Sequence, residues 1–310
     1  MENREYIKTV LQKRFGHYLT ARKRKTDASF LEKVGYRVDQ ALHRDIPEHV
    51  DDTTTPLEEQ KSLIKQLSRI SRLCFFDDLF MRRLAPLIQK AHAKHPARPV
   101  RILDVGAGGG GFFKALYRWT RSHRIEVELY GIDYSEHFLK MVEGDLDLEG
   151  IFVNMIRGDA RRLHELDLPD IDIAISRNMV HHVRDAGDVG LFLSELYRIG
   201  REGFLVMDID RTILGCMVMP MGVFLLEPFK LIVDGIRSVR RAYRTSEIQF
   251  MAEEVKSLVQ SKGSFKVTRT SFYPLPMWFV AGSREPVSDP IMARAARSEA
   301  PLGPTTRAIS

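Results

Sequence analysis

The run Val100-Arg-Ile-Leu-Asp-Val-Gly-Ala-Gly-Gly-Gly-Gly-Phe-Phe113 carries an apolar strand directly into a loop made almost entirely of glycine, and from there into a helix. Four consecutive glycines, Gly108 to Gly111, remove every Cβ from the turn. A ligand can therefore approach the backbone N–H groups and the N-terminus of the helix that follows. A strand, a bare turn and a helix in this order define one unit of a layered α/β fold with a nucleotide-like ligand at its turn.

Downstream, short apolar runs alternate with helical segments, as in a parallel sheet with crossover helices. The pattern predicts strands at 100–105, 126–132, 151–156, 171–176 and 202–208, and helices at 111–121, 135–143 and 187–199. A further helix should open at Ser246, with Gln249 three residues on, and close at Gly263. Two runs follow, 265–273 and 277–281, separated only by Pro274-Leu-Pro276. That connection is too short for a crossover helix, so the two must pair antiparallel.

Residues 1–96 read as a helical N-terminal cap. Thr55 as N-cap, Pro56 as first helical residue and Glu58 as capping-box partner should open a long helix. Its apolar residues Leu57, Ile64, Leu67, Ile70 and Leu73 form one stripe, and a second helix should run from Asp77 to about His95-Pro96. The first 25 residues hold eight lysines and arginines against Glu2 and Glu5, which accounts for the whole net charge of +6. With Tyr6, Ile7, Val10, Leu11, Phe15 and Tyr18 at helical spacing, they form a basic amphipathic helix. Such a helix either touches an anionic membrane or nucleic acid, or docks on the body by its apolar face. The segment 211–245 reads as an apolar insertion or lid, with Met217, Met219 and Met221 suited to an adaptable wall. Its uncharged stretch Ile213–Leu226, at 14 residues, is short of the roughly 20 that cross a bilayer. The stretch 284–310 should be disordered. Cys74 and Cys216 have no disulfide-framework or metal-type spacing, so neither a metal site nor an oxidising compartment is expected, and a reducing cytoplasm is the default.

The glycines alone are ambiguous, since Gly106 to Gly111 also satisfies the dinucleotide spacing G-x-G-x-x-G. Asp104 inside the strand, Asp133 after the second strand and Gly158-Asp-Ala160 after the third separate the alternatives, together with the terminal hairpin. In this combination the region 97–283 resembles a class I S-adenosylmethionine-dependent methyltransferase, and more loosely the bacterial secondary-metabolite type. The resemblance implies a Rossmann-like, mostly parallel seven-stranded sheet with an antiparallel last strand, and S-adenosyl-L-methionine as cofactor. It implies that the loop Asp104, Gly106, Ala107, Gly108 and Gly110 wraps the methionine part, that Asp133 with Tyr134 holds the ribose, and that Asp159-Ala160 meets the adenine. Asn178 joins the cofactor-binding set. Each acid also has a simpler reading, Asp104 and Asp133 as caps and Asp159 as a turn residue.

The fourth strand ends Ser176-Arg-Asn-Met-Val-His-His-Val183, without the Asn/Asp-Pro-Pro-aromatic sequence of relatives that methylate exocyclic amines of nucleobases. If the chain turns helical after Arg177, Asn178, His181 and His182 share a face. Either histidine can act as catalytic base, or simply bond backbone. An imidazole of pKa about 6.5 facing a phenol of about 10 leaves a gap of roughly 5 kcal/mol, far less than for an alkyl alcohol. The expected enzyme is a methyltransferase for a small lipophilic acceptor at a phenolic or enolic oxygen. The alternatives are an RNA or protein methyltransferase that uses the basic N-terminus, and a non-catalytic cofactor-binding scaffold.

Overall fold

The computed structural model describes residues 2–24, 37–39, 41, 43, 46, 48, 56–147, 149–212, 229–261, 263–270 and 275–284. Thr55, residues 213–228 of the apolar segment with Met217, Met219 and Met221, and nearly all of the C-terminal stretch lie outside the described residues.

Seven strands form one sheet: β1 (Val100–Val105), β2 (Val127–Asp133), β3 (Val153–Arg157), β4 (Ile173–Arg177), β5 (Gly203–Ile209), β6 (Ser264–Arg269) and β7 (Met277–Ser283), in the order β3-β2-β1-β4-β5-β7-β6. The pairs among β1 to β5 are parallel, and β7 runs antiparallel between β5 and β6. β5 is buried along its whole length, so its residues on both faces must be accommodated by the packed layers. The order reverses between β1 and β4, where ligands lodge in open α/β sheets.

The helices are α1 (Glu2–Arg24), α2 (Leu57–Leu73), α3 (Phe76–Lys94), α4 (Gly111–Ser122), α5 (Glu136–Asp147), α6 (Ala186–Ile199), α7 (Phe229–Arg241) and α8 (Thr245–Leu258). One core cluster joins α3 and α4 to one face of the sheet through Phe80, Ile88, Phe113, Ile102 and Ile175. The other joins α6, α8 and α1 to the opposite face through Leu103, Phe192, Leu196, Met251 and Leu11. The apolar face of α1 is therefore docked, the second of its two readings. Leu11 is 0% exposed, and a Cβ on Gly190 would meet its Cδ1 at 2.0 Å, so α1 and α6 touch through a glycine. Phe15 and Tyr18 stack towards Phe250 of α8, and that side of α1 is not free to enter a bilayer. Among the described residues no helix is long and apolar enough to cross a membrane.

Local chemistry explains most element ends and two departures from expectation. Gly150, at φ +69, closes α5, with Ile151 N–H donating to Leu146 C=O over 3.0 Å. β3 accordingly starts at Val153, two residues later than expected. α8 opens after Arg244 instead of at Ser246, and the Glu247 carboxylate accepts from Arg244 N–H at 3.0 Å where Gln249 was expected to serve. The cause is tertiary: Glu247 is held at 2.9 Å by the buried guanidinium of Arg211, which fixes the register of this turn. The helix ends at Leu258, before Gly263.

Candidate active site

β1 does not stop bonding where its glycines begin. Gly106 and Ala107 both donate to Ile132 C=O, at 2.8 and 3.0 Å, so the turn leaves the sheet as an extension of the β1–β2 ladder. Gly106, Gly108 and Gly110 all have positive φ, at +78, +52 and +65. A Cβ would collide at Gly106 and at Gly110, where it would lie 2.5 Å from Val142 Cγ1, but not at Gly108. At Gly106 a Cβ would lie 2.6 Å from Met179 Cγ, whereas at Gly108 it would meet nothing within 4 Å and would simply fill the space above the turn. Gly110 is the residue preceding α4 and gives that helix its left-handed entry.

The turn forms one wall of a cavity of about 960 Å³. Of the residues singled out from the sequence, Gly106, Ala107, Gly108, Asp133, Tyr134, Asp159, Ala160, Asn178, His181 and His182 line it. Asp104, within β1, and Gly110, at the entry to α4, do not. α2 supplies Ile64, Leu67 and Ile70 to the wall, and α7 supplies Gly235, Ser238 and Arg241.

Each acid is held in place by its neighbours. Asp133 accepts from Gly108 N–H at 2.8 Å and from Ser135 N–H at 3.0 Å, so it ties the glycine turn to the start of α5. Burial pushes its pKa up, and these backbone donors work against that. Asp159 caps the 3-10 turn Ala160–Glu165 and holds the Arg161 guanidinium, with a shortest contact of 2.6 Å, which lowers its pKa. The simpler readings of Asp133 and Asp159 are thus present in the structure alongside their exposure to the cavity. Asp104 is 3% exposed, and burial raises its pKa to about 6. Its Oδ1 has no hydrogen-bond partner among the described residues.

The segment after β4 departs from the expected helix. Asn178 takes a left-handed φ of +51 and only Val180–His182 form a single 3-10 turn, so Asn178, His181 and His182 do not share a helical face. The left-handed residue turns the two rings to different surroundings. His181 is 4% exposed; its Nδ1 lies 2.7 Å from Asp208 Oδ1, and its backbone N–H donates to Asp208 Oδ2 at 2.9 Å. Its Nε2 lies 3.4 Å from Glu48 Oε1. Burial alone disfavours the charged ring, but Asp208 and Glu48 outweigh that cost and push the pKa up to about 10. With Nδ1 on Asp208 and Nε2 facing Glu48, both ring nitrogens of His181 meet carboxylates, a setting that favours the protonated ring over a catalytic base. His182 lies beside it, ring centres 4.2 Å apart and planes tilted by 37°, with Nδ1 3.5 Å from Arg241 Nη1.

Four residues of this site were not among those expected. Arg177, at the end of β4, lines the cavity, bonds Asp77 at 2.6 Å and lies 4.1 Å from the Phe112 ring centre, while its Nε has no partner. Asp208 carried a visible signal, a carboxylate inside the apolar strand Gly203–Ile209, the same anomaly that marked Asp104. Glu48 and Arg241 carried none, because their contact, 3.6 Å between Oε1 and Nη1, joins segments remote in sequence.

Residues 103–207 match the family model described as a methyltransferase domain. A ubiquinone biosynthesis O-methyltransferase of Azorhizobium caulinodans is 29% identical over 144 residues, 46% of this chain and 52% of that protein. One of Maricaulis maris is 26% identical over 121 residues, 38% of this chain and 44% of that protein. The chain thus spans about half the length of the curated relatives it matches. Among solved structures, the plantazolicin methyltransferase BpumL in complex with SAH superimposes with a TM-score of 0.56 at 12% identity, covering 88% of this chain and 99% of that one. The plantazolicin methyltransferase BamL, bound to SAH and a triazolic desmethylPZN analogue, gives 0.55 at 14% identity, covering 80% and 98%. These structures share the fold. The sheet order, the glycine turn, its carboxylates and the domain match converge: residues 103–207 form a methyltransferase domain, set in a sheet with the fold of the SAH-bound methyltransferases.

Proposed function

We propose that this chain is an S-adenosylmethionine-dependent O-methyltransferase acting on a small lipophilic acceptor at a phenolic or enolic oxygen. The observation that carries the reading is the single cavity wall shared by the glycine turn and the histidine turn after β4. At about 960 Å³ it is near the upper end of small-molecule sites, roughly 300–1,000 Å³, and has room for a cofactor beside an acceptor. Ile64, Leu67 and Ile70 on one side and Leu275 and Met277 on another give the acceptor's share an apolar lining.

The polar groups fit the cofactor's amino-acid end. Arg177, which lines the cavity with its Nε unpartnered, suits a carboxylate, and Asp104, buried in β1 one residue before the strand ends with its Oδ1 unpartnered, suits an ammonium. Asp133 is assigned to the ribose and Asp159 with Ala160 to the base, a reading supported by their lining the same cavity as the glycine turn. When bound, S-adenosylmethionine supplies a methyl group activated on a sulfonium sulfur. The protein's part is to align the acceptor oxygen in line with that carbon, exclude water and receive the oxygen's proton. His182, lining the cavity beside Arg241, is the group placed to receive it. The curated relatives carry the name O-methyltransferase, which favours oxygen as the atom modified.

Docking of α1 on the body argues against a nucleic-acid substrate gripped by the basic N-terminus. The deciding experiment transfers a tritiated methyl group from the cofactor to a lysate extract, partitioned into organic, RNA and protein fractions. Label in the organic phase supports the reading. Label confined to RNA or protein replaces it with the macromolecular alternative, and S-adenosylmethionine binding without transfer to defined phenols leaves the scaffold.

A further inference from the structure

Glu48, His181 and His182 each bring one metal-ligating atom to within 4.8 Å of the others, at the cavity's inner end. The 3.4 Å between His181 Nε2 and Glu48 Oε1 is long for an N–H···O hydrogen bond, which is usually about 2.7–3.2 Å. Two ligand atoms on one tetrahedral ion, each about 2.0–2.2 Å from it, are separated by roughly 3.3–3.6 Å. The pair therefore stands at the spacing of adjacent ligands. The opposite nitrogen of His181 meets the fully buried Asp208 at 2.7 Å, which fixes ring orientation and tautomer as a carboxylate does behind a metal-bound histidine. Arg241 Nη1, 3.6 Å from Glu48 and 3.5 Å from His182, shows that this spot already attracts a cation.

We propose that Glu48, His181 and His182 hold a divalent transition-metal ion, with Asp208 supporting His181 from behind and the ion's remaining positions open to the cavity. Two imidazoles and one carboxylate suit zinc, manganese, iron or cobalt better than magnesium or calcium, which prefer all-oxygen sets. The ion takes the place of two positive charges: the Nε2 proton of His181, which leaves to solvent as the metal binds, and the Arg241 guanidinium, which moves away from Glu48 and His182. Its function rests on the acceptor reading above: an ionised phenolic or enolic oxygen completes its coordination, and the ion makes that oxygen acidic, so that in the metal-bound protein His182 serves as a ligand and no longer as the proton acceptor. The oxygen's proton leaves to solvent, and no electron changes hands.

The test needs no turnover and so stands or falls separately from methyl transfer. The full chain, stripped with chelator, is titrated with ZnCl2, MnCl2 or MgCl2 alone in a calorimeter, and with CoCl2 while visible absorption is recorded. Expected are one tight site for zinc, a weaker or absent one for magnesium, and an intense cobalt spectrum of a four- or five-coordinate ion. Glu48→Gln and His182→Gln should each weaken zinc binding more than tenfold. Asp208→Asn should weaken it about 10–100-fold. Arg241→Gln should bind at least as tightly as the wild type. Should one variant fail to fold by circular dichroism, the others and the wild-type titration still decide. No zinc or cobalt site in the wild type, or a site undiminished in Glu48→Gln and His182→Gln, overturns the proposal.

Discussion

His181 and Asp208 meet twice in the interior: ring Nδ1 to Oδ1 at 2.7 Å, and backbone N–H to Oδ2 at 2.9 Å. One carboxylate at the end of β5 thereby sets both the path of the chain leaving β4 and the orientation of the ring on it. The 3-10 turn Val180–His182, and with it the position of His182 in the cavity, depends on this pair.

Asp208→Asn should consequently be costly. It removes the charge facing a fully buried imidazolium, a class of change that costs about 3–5 kcal/mol. Urea unfolding followed by fluorescence should show the midpoint fall with the slope unchanged. A midpoint within error of the wild type would show that the pair is not an interior one.

Asp104 should weaken the ligand-free protein while helping it bind. Its pKa of about 6, raised from 3.8, means that folding opposes its ionisation: the penalty is absent below about pH 3.8, grows between there and 6, and is complete above. About two units at 1.36 kcal/mol each make roughly 3 kcal/mol. Asp104→Asn should therefore raise the melting temperature of the ligand-free protein at pH 7.5. It should also weaken S-adenosylmethionine binding. Wild-type affinity should rise with pH up to about 6 and level off, and the variant should lose that dependence. Calorimetry between pH 5 and 8 reads both outcomes.

Gly108 and Gly109 should respond differently to alanine. At Gly108 the added methyl meets no atom within 4 Å and projects into open space, so cofactor affinity should drop with a stability loss near 1 kcal/mol from the left-handed backbone. At Gly109 the methyl would lie 2.2 Å from Ile64 Cγ2 of α2. That change should loosen α2 and cost about 1–3 kcal/mol. Limited proteolysis around residues 57–73 should distinguish them, with faster cleavage in Gly109→Ala only.

Leu11→Ala should destabilise the protein by about 2–5 kcal/mol, since Leu11 is fully buried against Gly190. Neutralising Lys13 and Lys23, by contrast, should leave methyl transfer intact and insensitive to salt. A steep loss of activity with salt, abolished by those neutral variants, would point to a nucleic-acid substrate.

The layered fold was legible because its signals are local. Apolar runs of strand length, a glycine turn that alone tolerates three positive φ values, and a proline-bounded connection too short for a helix set the strands and the antiparallel end. The cofactor side of the site was legible for the same reason, since loops at the carboxyl ends of neighbouring parallel strands must converge. β7 lies between β5 and β6, a placement that strand lengths alone do not dictate.

The acceptor side depended on tertiary structure. Helical spacing grouped Asn178, His181 and His182, but the left-handed Asn178 takes the chain out of the helix, and the buried Asp208 holds the ring and backbone of His181. Ser246 looked a better cap than Arg244 until Glu247 was drawn to Arg211. Amphipathicity could not tell whether α1 met a bilayer, a nucleic acid or its own body, because all three demand the same stripe. Packing against Gly190 and Phe250 decided it. By itself, then, the sequence determined the strands, the glycine turn and the acids beside it, because each depends on the conformational range of a few adjacent residues. The protonation of His181, the partners of His182 and the seat of α1 depend on charges and surfaces far apart in the chain, and only the tertiary structure brings those into contact.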